Sequence, residues 1–261
     1  MLKRIALIVA LFSAGIAEAG QTCNEVTPSP TAVRNALTLA QRTRAALDAS
    51  DGRVALVARA GQDLRKWNLR WSHLGFAWRD HPQGRWTAVH LLNRCGTAGS
   101  DVFTEGLGSF FLDDPHRYEA LMLVPTADTQ ARLAALLSGD APARFHQSRY
   151  NMVAYAFSTD YQNSNQWALE LLAAAVARDA GIATRADAQA WLKAARYLPI
   201  TVEIDALTRL GGRMFRANVA FDDHPFDRRM AGAIDTVTVE SIERFLTACE
   251  PGTRRIVVGL P

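Results

Sequence analysis

The chain has 261 residues, 29 Lys and Arg against 26 Asp and Glu, a net charge of +3, and 49% hydrophobic residues. That balance lies too near neutrality for a nucleic-acid surface, and no Lys/Arg block with interleaved aromatics is present. The length suits a globular protein with a core of respectable size.

The first residues read as a secretory signal peptide over 1–19. Lys3 and Arg4 form the charged start, 5–16 the apolar centre, and Ala17-Glu18-Ala19 a small-x-small cleavage site. The apolar run falls short of the roughly 20 residues a membrane span needs. Removing 1–19 leaves 27 basic and 25 acidic residues, or +2, since Lys3, Arg4 and Glu18 go with it. The expectation is a periplasmic or secreted protein without a transmembrane segment, 20–261 forming a single α+β domain. Cys23, Cys95 and Cys249 all follow the cleavage site. Three thiols allow one disulfide with one left over, the pairing open, and their spacing fits no zinc motif.

In chain order, Thr31 opens a helix carrying Val33, Ala36, Leu37, Ala40 and Leu47 at helical spacing. Asp51-Gly52 is a turn, and 54–58 a short β-prone run. From Ser72 to Trp78 the sequence alternates, with His73, Gly75 and Ala77 on one face and Leu74, Phe76 and Trp78 on the other. After a turn cluster at 80–84, residues 85–92 read as the paired strand, with Trp86, Ala88 and His90 on one face. Such a hairpin puts His73 and His90 on one side of a sheet, among small residues that leave room for a helix N-terminus to approach. Residues 101–114 are mixed, 118–124 read as a strand, and Thr126 opens a helix that Gly139 stops. Residues 150–157 are ambiguous between helix and strand. A helix follows from Ser164 to about 180, and Thr184 opens another over 185–197. Residues 217–221 read as a strand, 239–248 as a helix capped by Thr238, and 256–258 as a terminal strand. The fold class expected is α+β, a central antiparallel sheet with packed helices.

Three constellations carry candidate chemistry. In the first, Ser164 stands at a helix N-terminus, where free N–H groups favour developing negative charge. His73 as general base, His90 as its orienting partner and Ser164 as nucleophile then form a triad, with Gln162 and Asn163 supporting the oxyanion. Read singly, Asn163 with Gln166 is close to a capping box, and each His is an ordinary structural hydrogen-bonder. The second is Asp113-Asp114-Pro115-His116 with Asp222-Asp223-His224-Pro225, which reads as turn chemistry ahead of a metal site. No metal or other cofactor is expected. The third is aromatic: Trp67, Trp71, Trp78 and Trp86 around the hairpin, read as core ahead of a ligand groove.

Ser72-His73-Leu74-Gly75-Phe76, the strand ending in His90, and Tyr161-Gln162-Asn163-Ser164-Asn165-Gln166-Trp167 resemble the circularly permuted papain-like (NlpC-type) hydrolases. With Gly61-Gln62-Asp63-Leu64, His90-Leu91-Leu92-Asn93, Cys95-Gly96-Thr97 and Asp222-Asp223-His224-Pro225, nearly the whole chain after residue 19 resembles an exported bacterial family of unknown function, domain of unknown function 2145. The resemblance implies a permuted papain-like core. It puts His73 at the base position, His90 at the orienting position and Ser164 where those hydrolases carry Cys. A thiol of pKa about 8.5 is readily lowered at a helix start, whereas a hydroxyl depends wholly on its base. Two functions follow: a cell-envelope hydrolase of amide or ester bonds acting on peptide, peptidoglycan or acyl groups, or an inactive envelope binding module using the same cleft.

Overall fold

The computed structural model describes residues 27–112, 115–178 and 180–260. The expected signal peptide and Cys23 lie outside them, as do Asp113 and Asp114. Helix α1 (Pro30–Asp48) is capped by Ser29, whose hydroxyl accepts from Ala32 N, and Pro30 occupies the first turn where no N–H is needed. The cap is thus two residues earlier than Thr31. Strands β1 (Val54–Ala60), β2 (His73–His81), β3 (Gly84–Asn93), β4 (Ser100–Gly106), β5 (Arg117–Val124) and β8 (Arg254–Gly259) form a six-stranded sheet in the order β4-β3-β2-β1-β5-β8. Every pairing in it is antiparallel. Strands β6 (Ile200–Glu203) and β7 (Ala233–Thr236) pair separately.

The sheet is covered on both faces. On one lie α1 and the short α2 (Leu107–Leu112), whose Leu39, Leu47, Phe110 and Phe111 pack on Ala55, Val57, Ala77, Ala88 and Met122. On the other lie α3 (Ala127–Ser138), α5 (Ser164–Val176) and α9 (Val239–Cys249), packed on Leu56, Leu74, Phe76, Val89 and Leu91. Trp167 of α5 meets Phe76 edge to face at 5.9 Å between ring centroids. Burying a side chain of this size contributes about 1.5–3 kcal/mol. The period-2 alternation in β2 is therefore borne out, each face having its own helical cover.

The remaining helices are α4 (Ala141–Arg144), α6 (Arg185–Ala194), α7 (Ala206–Phe215) and α8 (Phe226–Met230). Thr184 and Thr238 cap α6 and α9 through reciprocal capping boxes with Asp187 and Ser241. Trp71, Trp78 and Trp86 are buried core residues, as expected. Trp86 adopts a φ of 59°, rare outside glycine, and its indole donates to Asp48 of α1 at 2.5 Å.

Other expectations fail too, the helix over 185–197 ending at Ala194. The helix from Ser164 ends at Val176, short of 180. Residues 217–221 form a loop, because their polar backbone is engaged by other groups: Asn151 bonds both Ala220 N and Ala220 O, and Asn218 O accepts from Met152 N. The short segment 150–157 is also irregular, with single bridges at Tyr150 and Tyr155. Cys95 is disulfide-bonded, and Cys249 carries a free, exposed thiol.

Gly75 is required by close approach. A Cβ there would lie 2.7 Å from His90 Cβ and 3.0 Å from Val89 O, whereas one at Gly106 would meet nothing within 4 Å. Gly75→Ala should lower stability by about 1–3 kcal/mol through overpacking. Gly106→Ala should leave it nearly unchanged, both read by urea unfolding.

Candidate functional site

The register Phe76↔Val89 sets Gly75 opposite His90 and brings the two imidazoles together on one face. His73 Nε2 and His90 Nδ1 are 2.8 Å apart, and His90 Nε2 lies 2.9 Å from Glu105 Oε1 on β4. One of the two facing ring nitrogens, His73 Nε2 or His90 Nδ1, carries the proton of their hydrogen bond and the other accepts it. His73, His90 and Glu105 thus form a line of polar contacts across β2, β3 and β4. Both histidines are buried. Burial above all, with Arg59 and His90 adding to it, holds His73 well below the ordinary imidazole pKa of 6.5.

What occupies the space beside these imidazoles is α2. The Phe110 ring lies 5.7 Å from that of His73 and 5.1 Å from that of His90. Arg59 on β1 stacks over Phe110 at 5.0 Å and donates to its carbonyl oxygen. The small-residue face expected to admit a helix N-terminus is filled by α1 and α2.

Ser164 is the first residue of α5, on the opposite face. Asn163 is the N-cap, its Oδ1 accepting from Gln166 N at 2.7 Å while Nδ2 donates to Thr236 Oγ1 at 3.0 Å. The box is not reciprocal, since Gln166 Nε2 turns to the carbonyls of Tyr155, Ala156 and Ser158. Ser164 Oγ lies 3.5 Å from Tyr150 Oη and hydrogen-bonds neither His73 nor His90. Burial pushes the Tyr150 hydroxyl up, so it stays a neutral donor or acceptor rather than a base. The structure joins His73 to His90, while Ser164 hydrogen-bonds neither; its neighbour Asn165 donates to Ser72 O, one residue before His73.

Gln162 is engaged too fully to offer an oxyanion donor. Its two amide protons go to Phe145 O at 2.9 Å and Glu170 Oε2 at 2.7 Å, and its Oε1 accepts from Gln147 N at 2.8 Å. Glu170, on α5, is fully buried and paired with Arg185 at 2.7 Å; Gln189 donates to it at 2.8 Å. Burial raises the Glu170 carboxyl, with Arg185, Gln189 and Gln162 pulling in the other direction. Arg185 also donates to Thr159 O and Tyr161 O, tying the loop before Ser164 to α6. Removing one partner of such a pair costs about 3–5 kcal/mol because the other is left charged in the interior.

Sequence reasoning missed Glu105, Phe110, Tyr150 and the Glu170–Arg185 pair. Glu105 had a signal: as a carboxylate on the strand beside β3 it faces the same side as His90. Of the two Asp/His clusters, Asp223 lies 3.0 Å from His224 Nδ1 and accepts from Tyr155 N at 2.8 Å. That is turn and loop chemistry. Among the described residues no group of three or more His, Cys, Asp or Glu is placed to hold a metal ion. Among the described residues no helix is long and apolar enough to cross a membrane.

A family model described as an uncharacterized protein conserved in bacteria, domain of unknown function 2145, matches residues 46–246. The chain belongs to this family. The match takes in β1, the histidine hairpin, α5 and most of α9. No curated protein and no solved structure matches the chain.

His73 gives the site a pH signature. Its pKa is lower folded than unfolded, so below about 6.5 the unfolded state binds more protons and stability falls as the pH is lowered. Its contribution is complete above 6.5 and is lost on acidification. Unfolding measured between neutral and mildly acidic pH should show a slope that is shallower in His73→Gln, by up to about 1.4 kcal/mol per pH unit for the one proton.

Proposed function

We propose that this protein is a non-catalytic binding module of the cell envelope, built on a permuted papain-like (NlpC-type) core that retains the histidine pair without a nucleophile in its reach. The observation that carries the reading is that the Ser164 hydroxyl neighbours Tyr150 and hydrogen-bonds neither histidine. Ser164 opens a helix packed on one face of the sheet, and both imidazoles lie under α2 on the other. A serine hydroxyl needs a base within about 2.6–3.2 Å, directly or through one water, to be activated. Here Tyr150 Oη is its neighbour, and burial keeps that group protonated. The supporting side chains are equally committed: Asn163 to the cap, Gln162 to Glu170 and the backbone. On this reading Asn163, Gln162 and the buried Glu170–Arg185 pair fix the start of α5, and the buried histidine pair serves as structure. The ligand is a peptide or acyl-bearing component of the envelope.

A second reading, a His-activated hydrolase of amide or ester bonds, is favoured by one feature. His90 Nδ1 stands 2.8 Å from His73 Nε2, where the group that orients the base of a catalytic triad stands. It needs Ser164 and His73 Nδ1 to meet around the end of β2.

A serine-reactive fluorophosphonate decides between them. Native protein should remain unlabelled at a concentration and time that fully label a control serine hydrolase, and should match Ser164→Ala. Stoichiometric labelling lost in both Ser164→Ala and His73→Ala would establish the hydrolase instead.

A further inference from the structure

The segment Gly61-Gln62-Asp63-Leu64 takes no part in the site around Ser164 and the histidines. It walls a cleft of about 250 Å³ at the end of the sheet where β1 stops and β5 starts. The cleft is open to solvent on one side, and its volume lies below the roughly 300–1,000 Å³ of sites for larger ligands.

Its walls are held in place. Gly61 N donates to Ser72 Oγ at 2.8 Å, and His116 N donates to Gly61 O at 3.3 Å. Arg70 N and Trp71 N share Glu240 Oε1 of α9 at 2.7 and 3.0 Å. One turn of 3-10 helix, Arg65–Trp67, ends at Asn68, whose φ of 61° is left-handed and suits Asn better than most side chains.

Three guanidinium groups and one carboxylate line the cleft, those of Arg65, Arg70, Arg117 and Asp63. The carboxylate is committed: Arg65 donates to both oxygens of Asp63, at 2.8 and 2.5 Å. Arg70 is held by Glu119 at 2.8 Å and lies over the Trp71 ring. Among the described residues the Arg117 guanidinium has no hydrogen-bond or ion-pair partner, and the side-chain amides of Gln62 and Asn68 have none either. The uncommitted groups of the cleft are thus one positive charge and two amides. Leu64 and Leu69 add an apolar wall, both packed in the small core under β6 and β7. A single free guanidinium matches a planar monoanion, which it can hold through two parallel N–H bonds, whereas a phosphate dianion would keep a charge unmatched.

We propose that this cleft binds a small apolar carboxylate, free or as the last residue of a peptide, with Arg117 on the carboxylate, Gln62 and Asn68 beside it, and Leu64 and Leu69 against the apolar group. The proposal is independent of whether Ser164 reacts. It is tested by amide proton–nitrogen NMR of the labelled protein titrated with isocaproate, with N-acetyl-alanyl-leucine, with the C-terminal amide of that dipeptide, and with inorganic phosphate. At least one of the two carboxylates should shift the resonances of 62–70 and 116–117, and the amide and phosphate should bind more weakly by about tenfold or more. Tighter binding of the dipeptide assigns a chain terminus, and tighter binding of isocaproate a free acid. Arg117→Gln removes an exposed side chain without a partner, so it should keep its thermal unfolding and lose carboxylate affinity by about tenfold, while Arg34→Gln on α1 should bind as the native protein does. No shifts at the cleft with either acid, equal binding of the amide or of phosphate, or native affinity in Arg117→Gln would overturn the proposal.

Discussion

The pairing of β2 with β3 in the register Phe76↔Val89 governs both faces of the molecule. It puts Leu74, Phe76, Val89 and Leu91 under α5, and His73, Gly75, Ala77, Ala88 and His90 under α1 and α2. A slip of one residue in either strand would send its imidazole to the opposite face and its large apolar side chains to the other cover. Gly75 helps to lock the register, because only a residue without Cβ lets the His90 side chain lie so close across the strand pair. The register of β3 with β4 sets Ala88 opposite Glu105, which puts a carboxylate on the His90 face.

A second constraint fixes the approach to α5. Glu170 and Arg185 are buried together, and their remaining hydrogen-bonding capacity is spent on Gln162, Gln189 and the carbonyls of the loop before Ser164. A pair of this kind adds little net stability over an apolar substitute, yet it defines one arrangement of the groups around it. The consequence reaches the candidate site: Gln162 is held as a structural amide, and Ser164 enters the helix with its hydroxyl beside Tyr150.

The local chemistry of this fold was legible in the sequence where periodicity and caps speak for themselves. The two-residue period of 73–78 sorted the faces of β2, and Thr184, Thr238 and Asn163 announced the helices they cap. What covers each face was not legible, because it depends on long-range packing. Phe110 belongs to a six-residue helix after Gly106, inside a stretch without clear periodicity, and nothing local says that it fills the space beside two histidines. Ser164 and the histidine pair therefore read as one site, although α2 covers the face of the sheet that carries the imidazoles and α5 packs on the other. Residues 217–221 looked like a strand from composition, but Asn151, nearly 70 positions away, takes up their backbone groups.

The account turns on His73 being a neutral imidazole, hydrogen-bonded to His90 and shielded by α2. Long-range proton–nitrogen NMR of the histidine rings across a pH titration reads that directly. The account predicts that His73 stays neutral well below pH 6.5, unchanged by Ser164→Ala. A His73 that titrates at an ordinary imidazole pKa, and whose Nδ1 resonance shifts when Ser164 is replaced, would contradict it and place the two residues in one working site.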